Sequence, residues 1–371
     1  MKTTLIRRLG AARILPGCIV VLFGLGVTCM VTAKAEGPFQ VARTPRGADG
    51  VRETLTPGEV VEQPIADDQT EFAHVENPDR DVWIFNTRSA STTRPDEQQY
   101  QKISVQRLIQ MHERKKSRWQ NTSQNEFWLT YDPEVPLIVL VHGNYTSKTE
   151  AIESANMLEN KFFPGSGKFA GARYRLVIWA WPADTIYKQH LKDAKLKSVF
   201  SMKQGEYLAQ FLSQLPSDSR VSLVGFSFGA RTTCEAVQRL STNPEFFTQQ
   251  GDENVSPNIQ IRNLLLSPAI DQISLAPRFR YGNVIPTSQQ SIVLYNPRDF
   301  ALRLYPFLTG CNGPKALGRT GIPFFNLPKD LRQKISGINI DPIAGSRHSF
   351  TVFFQSPALN NRLGEFLLFA N

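Results

Sequence analysis

The sequence predicts an α/β fold, a mostly parallel central sheet with helices on both faces. Three observations lead there. Short, almost unbroken apolar runs recur, PLIVLVHGN (Pro136 to Asn144) and YRLVIWAWP (Tyr174 to Pro182) being the clearest, and a strand that is apolar at every position has both faces buried. Segments of helical length separate these runs, which is the connection that parallel strands require. From Val221 to Ala230, VSLVGFSFGA carries four strand-type residues into Gly225-Phe226-Ser227-Phe228-Gly229 and on into a segment that begins a helix.

Taken in order, the chain starts with a segment different in kind from the rest. Lys2, Arg7, Arg8 and Arg13 precede an apolar run from Ile14 to Thr32, and Ala33-Lys34-Ala35 follows. Basic residues, an apolar stretch and an A-x-A site predict an export signal over residues 1–35, cut after Ala35. The run also approaches the length of a bilayer span, so an uncleaved membrane anchor is the alternative. Residues 36–80, rich in Pro, Gly, Thr and charge and without apolar period, read as a flexible arm. The main domain, which carries the chemistry described below, is expected over residues 81–371. It opens with a strand in DVWIFNTR from Asp81, an amphipathic helix around Val105 to Arg114 and a strand FWLTY over Phe127 to Tyr131. PLIVLV and a crossover helix over Lys148 to Lys161 follow, then YRLVIWA, a helical region to about Leu215, VSLV with the helix after Ser227, IRNLLLS from Ile261 and SIVLYN from Ser291. A strand-like GINI precedes a loop with His348.

The chain has 371 residues with a net charge of +9. Residues 1–35 hold five positive charges (Lys2, Arg7, Arg8, Arg13, Lys34) and no negative ones, so the remainder carries +4. The basic balance is therefore partly a property of the leader, and no basic stripe interleaved with aromatics points to nucleic acid. Arg114-Lys115-Lys116 reads as a solvated helix face. Of four cysteines, Cys18 and Cys29 lie in the leader; Cys234 reads as a buried free thiol within a helix, a bridge to Cys311 being the alternative. No Cys/His spacing suggests a metal.

The chemistry concentrates at Ser227. In G-x-S-x-G the serine occupies a sharp turn from strand to helix, and glycines on either side remove side chains that would strike the neighbouring backbone. The turn raises the hydroxyl above the sheet edge and leaves the Phe228 N–H at a helix start, where it can hold an oxyanion. A serine nucleophile needs a base and a carboxylate to orient that base. Of five histidines, His74, His112, His142, His190 and His348, only the last follows the final sheet strand, which makes it the expected base. Asp299, at the end of SIVLYNPRD, is the expected acid, with Asp271 the rival and Asp341 and Asp184 more distant choices. Asp299 also stands where it can cap the following helix. His142-Gly143-Asn144 closes a core strand where a second oxyanion donor is needed; the Asn144 N–H fits, with His142 a prop for the loop.

Through VLVHGNYTS, WAWPAD, GFSFGARTT, LYNPRDFAL and HSF, the chain resembles the α/β-hydrolase superfamily from about Asp81 to Asn371, and within it the bacterial DUF900 group of uncharacterised serine hydrolases. The resemblance implies the α/β-hydrolase fold with about eight strands, a Ser227-Asp299-His348 triad, an oxyanion hole of the Phe228 and Asn144 N–H groups, and no cofactor. Phe226 stands where histidine is common before the serine, and Phe228 where a smaller residue is common after it. The expected activity is an exported carboxylic ester hydrolase acting on a small or lipid-like ester, with Phe226, Phe228, Trp179 and Trp181 hinting at an apolar group. Amide, thioester or peptide hydrolysis on the same machinery, or a non-catalytic binder, are the alternatives.

Overall fold

A computed structural model describes residues 81–92, 96–111, 116–164, 167–243, 259–308, 310 and 312–370. The expected signal or anchor and the arm lie outside them, as do His74, His112 and Cys311. Among the described residues, nine strands form one sheet in the order β3-β2-β1-β5-β4-β6-β7-β8-β9. They are β1 (Asp81–Asn86), β2 (Ser104–Met111), β3 (Lys116–Thr122), β4 (Leu137–Val141), β5 (Arg175–Ala180), β6 (Arg220–Phe226), β7 (Gln260–Leu266), β8 (Gln290–Tyr295) and β9 (Ile335–Asn339). Only the β1–β2 and β2–β3 pairs are antiparallel. From β4 the chain crosses to β5 on one side and then to β6 on the other, so a crevice opens at the carboxyl ends of β4 and β6, where α/β sheets build their sites.

The apolar strands divide their side chains between two cores. Along β4, Leu137, Val139 and Val141 face one core while Ile138 and Leu140 face the other, all fully buried. Helices α1 (Lys148–Phe162) and α4 (Pro357–Leu367) cover the second face, where the Ser222 hydroxyl donates to the Leu367 carbonyl at 2.9 Å. Helices α2 (His190–Ser213) and α3 (Phe228–Thr242) pack together over the first. The α1 start is fixed by a capping box between Ser147 and Glu150. Among the described residues no helix is long and apolar enough to cross a membrane.

Two expected elements are exchanged. Residues 104–111, expected as an amphipathic helix, form β2, and the polar Lys116–Thr122, expected as no element, pairs with it as β3. The spacing of Val105, Leu108 and Ile109 fits a helix face, but polar partners satisfy the strand on both its faces: Gln106 donates to Asn121 at 2.8 Å and Arg107 pairs with Asp81 at 3.3 Å. FWLTY, expected as a strand, belongs instead to a helix over Gln124–Leu129. Its start is set by Ser123, whose hydroxyl accepts from the Glu126 N–H at 3.1 Å. The helix drives Phe127 edge-on against Trp83 and Phe85, and the buried Arg175 guanidinium accepts none of this passively, donating to the Phe127 and Thr130 carbonyls at 2.9 and 2.6 Å. Losing one strand and gaining two, the sheet has nine where about eight were expected.

Candidate active site

Ser227 lies between β6 and α3 with φ 54° and ψ −115°, a backbone conformation that L-residues rarely adopt. Both glycines of the motif are required by close packing. A Cβ on Gly225 would lie 2.5 Å from the Ala230 Cα, and one on Gly229 only 2.0 Å from the Val141 carbonyl oxygen and 2.6 Å from that of His142. The start of α3 thus rests directly on the end of β4. Gly229→Ala is expected to destabilise the fold by about 3 kcal/mol, because backbone, not a pliant side chain, must move; the urea midpoint of the variant measures it, and an unchanged midpoint contradicts the packing. Gly143 is similarly confined, its would-be Cβ lying 2.8 Å from Phe226 and 3.3 Å from Ser227 Cβ.

The three residues expected as a triad meet. His348 Nε2 is 3.0 Å from Ser227 Oγ, and His348 Nδ1 is 2.6 Å from Asp299 Oδ2. A carboxylate accepts only, so Nδ1 donates to Asp299, and Nε2 presents its lone pair to the serine hydroxyl. Asp299 is fully buried, and its other oxygen accepts from the Leu302 N–H at 2.9 Å, capping the short helix Phe300–Arg303. Phe226 stacks on the His348 ring, with centroids 5.0 Å apart, and packs against Phe350 and Phe353. The rival acids are engaged elsewhere. Asp271 accepts from the Tyr305 hydroxyl at 2.7 Å, Asp184 pairs with Arg88 at 3.1 Å, and Asp341 pairs with Arg298.

The candidate oxyanion donors flank the serine. Phe228 is the first residue of α3, so its N–H has no acceptor within the helix. Asn144 follows β4, next to β6 in the sheet, and Val141 pairs in register with Gly225. The next N–H, that of Tyr145, is committed to the Ala183 carbonyl at 2.9 Å, with Tyr145 at φ 56°. The supports of this loop were not anticipated from sequence. Trp181 Nε1 donates to the His142 carbonyl at 2.9 Å, and Arg88 Nη2 to that of Thr146 at 3.1 Å. For Trp181 the proximity of WAWP to a strand end was the available signal; for Arg88, more than fifty residues away in the chain, there was none. Trp179 faces the core instead, stacked on Phe85 and bonded to Gln204. His190 is exposed at the start of α2, its ring against Tyr145.

His142 is buried, stacks on Trp181 and donates from Nδ1 to the Gly143 carbonyl at 3.0 Å. Burial, reinforced by the nearby Arg88 charge and opposed by that hydrogen bond, pushes its pKa down from 6.5 to about 3. It is thus a neutral prop. Unfolded, it binds a proton below 6.5; folded, it does not, so its contribution to stability falls as pH drops from 6.5 towards 3. About 2 kcal/mol is expected to be lost at pH 5 relative to neutrality, seen as a fall in urea midpoint that a His142→Gln variant shows to a smaller degree. Equal falls in both contradict this assignment. Cys234, within α3, is free and fully buried, and burial pushes its thiol well above the ordinary range. Among the described residues no cluster of three or more His, Cys, Asp or Glu is arranged to hold a metal.

Comparison with protein families matches residues 119–312 to the family described as alpha/beta hydrolase of unknown function (DUF900). Comparison with curated proteins found no match. Among solved structures, the chain is similar to a lipase-esterase related protein from Clostridium acetobutylicum ATCC 824, at 7% identity over 63% of this chain and 96% of that one, with a TM-score of 0.32. It is also similar to an esterase B from Lactobacillus rhamnosis, at 12% identity over 78% and 88% of the two chains and a TM-score of 0.32. A bacterial heroin esterase is similar at 14% identity over 72% and 78%, with a TM-score of 0.30.

Proposed function

Because the chain belongs to the DUF900 family of alpha/beta hydrolases, we propose that it is an exported serine hydrolase that cleaves a carboxylic ester through an acyl-enzyme on Ser227. The observation that carries this reading is the unbroken hydrogen-bond chain from Ser227 Oγ through His348 to the buried Asp299. Ser227 Oγ attacks the ester carbonyl carbon as its proton passes to His348 Nε2. The resulting oxyanion is held by the Phe228 and Asn144 N–H groups, and Asp299 stabilises the imidazolium through Nδ1–H. Collapse expels the alcohol, which takes the proton from Nε2. Water then attacks the acyl-enzyme with His348 again as base, releasing the acid and restoring the serine.

Export rests on the basic, apolar and A-x-A pattern of residues 1–35. The N-terminal mass of the exported protein tests it, and retention of Met1 to Ala35 would mean an anchor instead. The hydrolase reading is tested by treating the protein with a fluorophosphonate, which phosphonylates an activated serine. We expect one label, recovered on the peptide containing Ser227. Labelling elsewhere, or none, sinks the proposal.

A further inference from the structure

We propose that the rim of this site is a docking surface for an anionic lipid bilayer, so that the ester it cleaves is one presented at such a surface. The ester rests on the hydrolase reading proposed above, and the surface on independent observations. Loops after the strands' carboxyl ends carry large apolar side chains in solvent. On the oxyanion side, Ile186 and Leu191 are 52% and 44% exposed; on the His348 side, Phe300 and Leu304 are 63% and 47% exposed. These groups belong to one rim. The Tyr145 hydroxyl donates to the His190 carbonyl at 3.1 Å, which joins the Asn144 loop to the start of α2, and the Ile186 and Tyr187 N–H groups donate to the buried Asp193 at 2.8 and 2.9 Å. The Phe300 N–H donates to the Ser346 carbonyl, two residues from His348. The short helix that follows Leu304, Tyr305–Leu308, packs against α2 and is bonded through Tyr305 to Arg231 near the start of α3.

Charge on this rim is one-sided. Leu191, Lys195 and Val199 recur at four-residue spacing on the exposed face of α2, with Lys192 beside them, and Lys188 and Arg303 extend the set. Among the described residues none of Lys188, Lys192, Lys195 and Arg303 has an ion-pair partner, Lys192 lying over the Tyr187 ring at 4.0 Å; of the acidic side chains nearby, Asp184 pairs with Arg88, Asp341 pairs with Arg298, and Asp193 is fully buried, bonded to backbone N–H groups. Apolar side chains interleaved with lysines that have no acidic partner on a helix face match a membrane interface, where the former enter the headgroup boundary and the latter meet anionic lipid. A protein partner would be expected to leave fewer lysines at the centre of its patch.

The test uses the exported form beginning at Glu36 and carrying Ser227→Ala, so that neither turnover nor the apolar leader enters the reading, sedimented with phosphatidylcholine vesicles containing or lacking 30% phosphatidylglycerol. We expect binding at least tenfold tighter with the anionic lipid, weakened by salt, and reduced at least tenfold by both K188E/K192E/K195E and I186S/L191S. With Ser227 restored, these variants should turn over a soluble short-chain ester normally and a vesicle-borne one at least tenfold more slowly. Binding that ignores lipid charge or both variants, or a self-association that the same variants abolish in place of vesicle binding, overturns the docking surface. Tight, charge-dependent binding with no Ser227-dependent turnover of either ester overturns only the hydrolase reading.

Discussion

Ser227→Ala is expected to lower kcat/KM for an ester by at least about 10⁴-fold, and His348→Ala to reach about the same floor. The two losses should not multiply. Once the serine is gone there is no proton for His348 Nε2 to take at 3.0 Å, and once the histidine is gone the hydroxyl is an ordinary alcohol. The double variant should therefore match the single ones, retaining only what the oxyanion donors and substrate binding contribute. Steady-state kinetics of the two single variants and the double variant on one p-nitrophenyl ester measure this. Multiplicative losses would mean the two residues act in separate steps, against the geometry of the site.

The second large effect separates the two candidate acids. Asp299→Asn should reduce kcat by about 10³- to 10⁴-fold while leaving the folded state largely intact. An asparagine keeps an oxygen for the Leu302 N–H, so the helix cap survives. Its NH2 group, however, faces His348 Nδ1 where a carboxylate oxygen stood at 2.6 Å, and two donors cannot share that contact. The imidazole must take the other tautomer, which places its proton on Nε2 and leaves no lone pair for Ser227. Asp271→Asn still offers the Tyr305 hydroxyl an amide oxygen, removes only a charge distant from His348, and should change kcat less than about tenfold. Thermal melts alongside the kinetics distinguish a lost base from a lost fold. A large loss confined to the Asp271 variant would invert the assignment.

The legibility of the chain follows where its interactions are local. Strands β4 to β8 were readable because the body of each is buried on both faces, which makes it a run of mostly apolar residues whatever its partners, with a few polar ones such as Ser222 and Asn263 satisfied by specific bonds. Ser227 was readable because its glycines answer to backbone within a few residues or at the next strand's end. Strand β3 was not, since KSRWQNT at the sheet's edge has no buried face to enforce a pattern, and β2 followed it into error. The helix at Gln124 is capped by Ser123, a signal three residues before Glu126 that the aromatic run FWLTY, expected as a strand, left unread. Asp299 and His348 could be ordered along the chain as candidates. That Asp271 is engaged by Tyr305 depends on a contact across thirty-four residues, which no local pattern encodes.

The order of the strands divides the site mechanically. Ser227 and Asn144 hang from β6 and β4, each held by a strand on either side, whereas His348 arrives beyond β9, an edge strand, on a loop held by its side chain to Asp299, by the Asn296 amide donating to the Gly345 carbonyl at 2.8 Å and by the Phe300 N–H donating to the Ser346 carbonyl. Backbone that is paired on both sides opens only with the whole molecule, and peripheral backbone opens sooner. The proposed base is therefore expected to be held less tenaciously than the proposed nucleophile. In the proposed mechanism, a disturbance that frees only the loop carrying His348, with the core-packed helix after it still in place, would silence the Ser227 hydroxyl while the sheet around it is intact.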